Sequence, residues 1–304
     1  MKKIAILGLC FILAGLIMIR REDLITLFHI YFSPNIETVS INNKNEYYRD
    51  YDFLFVKNTD NFTPSNFQDV LNIYYTVINA GKSSFTFYCP PAYEDCINDI
   101  NQLANDQSLL SDINNYTHPF NGFSHIETQY DTLGKVTITI VHSYTDEQIR
   151  LINQQVDFLS QTLISSNASI EDNIRNVHDY IINHTQYDSL RSDEGVLDYQ
   201  SDIAYGPLFE GYAVCGGYTD LMELFLERIG VKSFKVSSED HIWNAVQIGD
   251  RWYHLDLTWD DPVADDGNDY LEHNYFLIDT NTLLTLEQAR HNFNRDVYLE
   301  FQNQ

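Results

Sequence analysis

The sequence predicts an α+β protein: a small α+β module followed by a domain that joins an apolar helix to a hairpin. Three observations predict it. A length of 304 residues suits about two domains. Through the first half, short alternating apolar runs are interleaved with segments of helical period. In the second half, a glycine-rich turn opens an apolar helix, and a hairpin follows closely. Composition agrees, with 44% hydrophobic and 20% charged residues, ordinary for a globular chain. The net charge of −26 argues against nucleic-acid binding, which needs a cationic face. It equally disfavours docking on anionic lipid through a basic patch.

The elements follow in order. Lys2 and Lys3 precede an apolar run from Ile4 to Ile19, closed by Arg20 and Arg21. Residues 1–34 are therefore expected to be an uncleaved membrane anchor with the bulk of the chain outside the cell, a cleaved signal segment being the alternative. Residues 35–165 form the first module. A polar stretch over 35–48 reads as a linker and Tyr51–Val56 as a buried strand. A helix is expected over Asn66–Asn79, a strand over Ser84–Tyr88 and a helix over Tyr93–Asn105. After a loop containing Pro119 and Gly122 come strands at Ser124–Tyr130 and Lys135–His142. Thr145–Ile164 has the apolar spacing of a long amphipathic helix. Ser165-Ser166-Asn167 breaks it, so the second domain is placed at 166–304. Ser169 caps a helix running to about Thr185. His178 and His184 on that stretch read as surface or packing residues.

Cys89 and Cys96 are plausible disulfide partners outside the cell, two unpaired thiols being the alternative. Cys215 is left over and needs a reason. It follows Glu210-Gly211-Tyr212-Ala213-Val214 and precedes Gly216-Gly217-Tyr218, immediately before the apolar helix Thr219–Ile229. At a helix amino terminus, unpaired N–H groups and the dipole stabilise an anion, and a thiolate is one. Gly216 and Gly217 would let a substrate backbone approach, and N–H groups of the turn could bind an oxyanion. An inert cysteine packed under a helix is the bland alternative.

The hairpin runs from His241 to Ile248, turns at Gly249-Asp250, and returns over Arg251–Trp259. A two-residue loop pairs Ile248 with Arg251, so Trp243 faces Asp256 and His241 faces Thr258. Asp256 is then diagonal to His241, within bridging reach of its side chain. A carboxylate on one imidazole nitrogen leaves the other free to act as base. A thiolate, a base and an orienter are the three roles that nucleophilic catalysis requires.

The blocks EGYAVCGGYTDLMELFLERIG, HIWNAV and WYHLDLTWDDP resemble, in that order, the core of the transglutaminase-like superfamily, a papain-like thiol fold. HDYIINHTQYD (His178 to Asp188) resembles the segment that precedes the nucleophile in bacterial members. The resemblance covers about residues 169–280 and implies Cys215 as nucleophile, His241 as base and Asp256 as orienter. It also implies a Cys-bearing helix packed on the antiparallel sheet that carries the His and the Asp. Trp243, Trp259, Gly216 and Tyr212 are candidates to contact substrate. No metal or other cofactor is expected. Cys215, His241, His254 and Asp256 are ligand types, but no C-x-x-C or H-E-x-x-H spacing occurs. The expected function is cysteine-dependent acyl transfer at amide groups: cross-linking, or hydrolysis of a peptide or carboxamide. Its substrate would be a protein or a cell-wall peptide, with membrane contact through the N-terminal segment alone. The competing class is a non-catalytic extracellular binding or scaffold module that keeps the fold.

Overall fold

The structure is a computed structural model that describes residues 40–263 and 270–302. The expected anchor, residues 1–34, lies outside the described residues. Among the described residues no helix is long and apolar enough to cross a membrane.

The first module opens with helix α1 (Phe67–Asn79), capped by the Asn66 side chain on the Asp69 N–H. Strand β1 (Ser84–Tyr88) leads to helix α2 (Cys96–Asn105). Cys89 and Cys96 are joined by a disulfide that ties the end of β1 to the start of α2. Helix α3 (Gln107–Asn115) follows, its N-cap Asp106 accepting from Leu109 N–H. Strands β2 (Phe123–Tyr130) and β3 (Lys135–His142) complete an antiparallel sheet in the order β1-β3-β2.

Two expectations fail here. Tyr51–Val56 is not a strand. Phe53 N–H closes a turn on the Val56 carbonyl, and Phe53 and Val56 are buried while Leu54 is exposed. An apolar run dips into the core at two points without offering a ladder edge, and over so few residues period alone does not distinguish the two. Helix α3 stands where a loop was expected. Asp106 ends one helix and caps the next, so the two run on almost without a gap.

Helix α4 (Asp146–Leu163) starts on a capping box between Thr145 and Gln148. Helix α5 (Ile170–Asn183) is capped by Ser169. Strand β4 (Gln186–Tyr187) pairs in parallel with β5 (Tyr212–Ala213), with helix α6 (Ser189–Glu194) between them. Helix α7 (Cys215–Ile229) begins at the free cysteine and ends at Gly230, whose φ of 86° is left-handed. Strands β6 (Ser233–Ser237), β7 (Ile242–Ile248) and β8 (Arg251–Leu255) form the second antiparallel sheet in sequence order.

This second sheet is covered on both faces. Val246 and Leu255 pack with α4, α5 and α7 in one apolar cluster. Phe234, Val236, Trp243 and Ala245 join the first module and the C-terminal Phe293, Val297, Tyr298 and Phe301 in the other. A core shared this way fixes the first module against the sheet. Arg49 reinforces the contact with a buried ion pair to Glu223 of α7.

Candidate active site

The β7–β8 register is the expected one: Ile248 pairs with Arg251 and Ala245 with His254. The return strand is shorter than expected, however. β8 stops at Leu255, and Asp256 becomes the N-cap of a short helix α8 (Leu257–Asp260). Thr258 therefore lies in that helix and does not face His241 across the ladder. The change suits the site, because Asp256 Oδ1 accepts the N–H groups of Thr258 (3.0 Å) and Trp259 (3.3 Å). Its other oxygen is left to face the histidine.

His241 Nε2 lies 2.5 Å from Asp256 Oδ2. Its ring also hydrogen-bonds Cys215, and Nδ1 is the nitrogen left for that contact. Burial alone would lower the His241 pKa. The Asp256 charge and hydrogen bond, with the Cys215 sulfur, outweigh burial and push it up to about 10. Burial works on Asp256 in the opposite sense, and the His241 and His291 rings overcome it, holding this carboxyl well below the usual range. Cys215 is partly buried at the start of α7. Thr219, one turn on, donates to the carbonyls of both Cys215 (2.7 Å) and Ile242 (3.1 Å). That hydroxyl clamps the first turn of α7 to the start of β7, beside His241. Asn244 on the facing side of β7 adds a bond to the Thr219 carbonyl (3.0 Å).

The glycines after the cysteine serve the chain's own packing. A Cβ at Gly216 would stand 2.7 Å from the Asp202 carbonyl oxygen, and one at Gly217 would stand 2.3 Å from that of Ser201. The close approach expected for substrate is made at both positions by the 201–202 backbone. Gly216 nevertheless lines a cavity.

Two cavities meet at the cysteine. The larger, about 960 Å³, runs from Cys215, Gly216 and His241 along Ser108, Ser111 and Asn114 of the first module. The smaller, about 400 Å³, is lined by Cys215, His241, Trp259, Pro262 and Val263 among others. Of the four residues expected near substrate, Gly216 and Trp259 line these cavities. Trp243 is buried and lines neither; its indole N–H donates to His254 Nδ1 (3.0 Å). Tyr212 also lines neither and stacks on Tyr199, with ring centroids 4.0 Å apart. The expectation for these two arose from aromatic clustering in sequence, which does not separate a site wall from a core.

His254 turns its other nitrogen to Thr280 Oγ1 (3.0 Å). Burial, then the neighbouring His291, lowers its pKa to about 3, so this ring is a neutral structural element. Of the two readings for His178, the structure gives packing: it is fully buried between Asp179 (2.9 Å) and Asp260 (3.2 Å). Among the described residues, two groups of donors stand close enough to hold an ion: His178, Asp179 and His273, and His241, Asp256 and His291. In both, the facing atoms already hydrogen-bond one another.

Sequence reasoning missed His291. It lies beyond the β8 hairpin and beyond the stretch covered by the resemblance. Segment 275–278 brings it back, since Ile278 bridges to His254 and the Tyr275 carbonyl accepts from Asp256 N–H (3.1 Å). Helix α9 (Thr280–Leu286) then returns the chain to the site.

The Cys-bearing helix lies on an antiparallel sheet whose strands lead from the His to the Asp, the arrangement that the sequence resemblance implied. No family model and no curated protein matches the chain. Among solved structures it is similar to a crystal structure of a TGase, at 15% identity over 45% of this chain and 45% of that one, with a TM-score of 0.31. It is also similar to a protein from Cytophaga hutchinsonii provisionally described as a cysteine protease. There the identity is 13% over 44% of this chain and 61% of the other, with a TM-score of 0.28. The chain thus spans less than half the length of the first and about three-fifths of the second.

Proposed function

We propose that the protein is a cysteine-dependent acyltransferase or hydrolase acting on amide groups of a protein or cell-wall peptide. The observation that carries this reading is the unbroken chain from Cys215 through His241 to Asp256, at the junction of two cavities. Cys215 Sγ attacks the carboxamide carbon as a thiolate, its proton already held on His241 Nδ1. The N–H groups of Cys215 and Gly216, in the first helical turn where no intrahelical acceptor exists, receive the oxyanion. His241 then protonates the leaving nitrogen, the C–N bond breaks and a thioester remains. A second nucleophile, water or a primary amine, loses its proton to His241 and releases the acyl group. Access from two sides of Cys215 suits an acyl donor on one side and an amine on the other. The Cys89–Cys96 disulfide supports a location outside the cytosol, with residues 1–34 as the anchor.

The test is to incubate the protein with a glutamine-containing peptide, with and without a diamine, and follow ammonia and product mass. Product that depends on Cys215 is expected, with the diamine arm deciding between transfer and hydrolysis. If iodoacetamide labels Cys215 no faster below pH 8 than it labels free cysteine, the reading fails, and a scaffold that survives Cys215→Ala takes its place.

A further inference from the structure

We propose that His291 is a positioning residue for the catalytic group: a charged fourth member that holds Asp256 and sets the pH range in which Cys215 and His241 work. The inference rests on the Cys215–His241–Asp256 reading above.

His291 is fully buried. Its Nε2 lies 2.9 Å from Asp256 Oδ2, the same oxygen that takes His241 Nε2 at 2.5 Å. Its Nδ1 lies 3.0 Å from the Glu287 carbonyl oxygen. Both partners can only accept, so each ring nitrogen must carry a proton, which makes the ring an imidazolium. The surroundings suit a buried cation. The Trp243 ring lies T-shaped to it at 4.9 Å, Tyr275 stacks on it at 5.3 Å and Trp259 leans on it at 5.4 Å. The titratable groups facing it are Asp256, His241, the Tyr275 phenol and the neutral His254, with Arg295 farther out over the Phe293 ring. Glu287 offers its backbone carbonyl.

Two consequences follow. With both backbone N–H groups on Oδ1 and both imidazoles on Oδ2, Asp256 cannot rotate away from His241. In addition, a second positive charge beside the carboxylate makes it easier for the Cys215–His241 pair to lose a proton. Removing that charge should move proton loss from the pair to higher pH.

The test measures the rate of Cys215 alkylation by iodoacetamide against pH in the full chain and in His291→Ala and His291→Gln. Glutamine keeps one N–H donor toward Asp256 and drops the charge. In His291→Ala the acid limb should move up by about one pH unit, roughly tenfold in rate at a fixed pH on that limb, and the plateau should fall. His291→Gln should recover most of the plateau while leaving the limb displaced. An unmoved limb in both variants overturns the proposal, whether or not the plateau falls, because packing alone lowers a plateau without shifting its pH. If the alanine variant does not fold, the near-isosteric glutamine variant decides the limb alone. A parent chain whose Cys215 behaves as free cysteine overturns the triad reading instead, a result that does not depend on either variant.

Discussion

Asp256 accepts four hydrogen bonds, two on each oxygen, from donors on three separate pieces of chain. Replacing it with Asn keeps the shape but turns an N–H₂ toward donors. Turnover should fall by about 10⁴-fold, the scale seen when a triad imidazole loses its orienting carboxylate. The same pair sets a pH dependence of stability. The His241 pKa is raised from 6.5 to about 10 in the folded chain, so its contribution is complete below about 6.5 and is lost as pH rises toward 10. Asp256 is depressed from 3.8, so its contribution is present above that value and is lost on acidification. Melting temperatures between pH 5 and pH 10 should therefore fall toward the alkaline end. The slope should flatten in Asp256→Asn; an equal slope in both proteins would refute the assignment.

Among the elements, α7 depends most on its backbone neighbours. Gly217→Ala would drive a methyl group into the Ser201 carbonyl. Because the clash is with backbone, it should destabilise the fold by about 2–3 kcal/mol and displace Cys215. Chemical denaturation together with alkylation kinetics would check both effects. At the start of α4, Thr145→Ala removes a capping box and should cost about 1 kcal/mol with no change in alkylation rate. These elements were legible in the sequence because their signals are local. A Ser or Thr cap precedes a helical period, and a two-residue turn fixes a register that brings Asp256 within reach of His241, while the roles of Cys215, His241 and Asp256 were read from the family resemblance. Tyr51–Val56 was misread because a short apolar run carries no period. His291 was invisible because an isolated histidine among polar residues acquires meaning only when segment 275–278 pairs with β8. Trp243 and Trp259 look alike in sequence, and only packing separates the core residue from the cavity wall.

At the scale of the molecule, the sheet that carries His241 has its outer face buried by the first module and by residues near the C-terminus. Residues 166–304 expressed alone would strip Phe53 and Tyr116 from Phe234, although Phe293, Tyr298 and Phe301 would still cover part of this face. The fragment should yield no cooperative unfolding transition, and adding the missing module in trans is the natural rescue. A fragment with a sharp transition would show that the sheet needs no cover from the first module. The first module's own hold is tightened by its disulfide. Reduction should lower stability by roughly 2 kcal/mol, since the closed loop is short. The module also walls the larger cavity, so loosening it should alter peptide turnover more than alkylation of Cys215 by a small reagent.

The aromatic cage around His291 gives the site an optical signature. The chain has three tryptophans, and two of them, Trp243 and Trp259, touch this ring. A protonated imidazole quenches indole emission by accepting charge from its excited state. Native fluorescence should therefore be dim and brighten in part in His291→Gln, the remainder being held down by His241, which stacks on Trp243 at 5.5 Å.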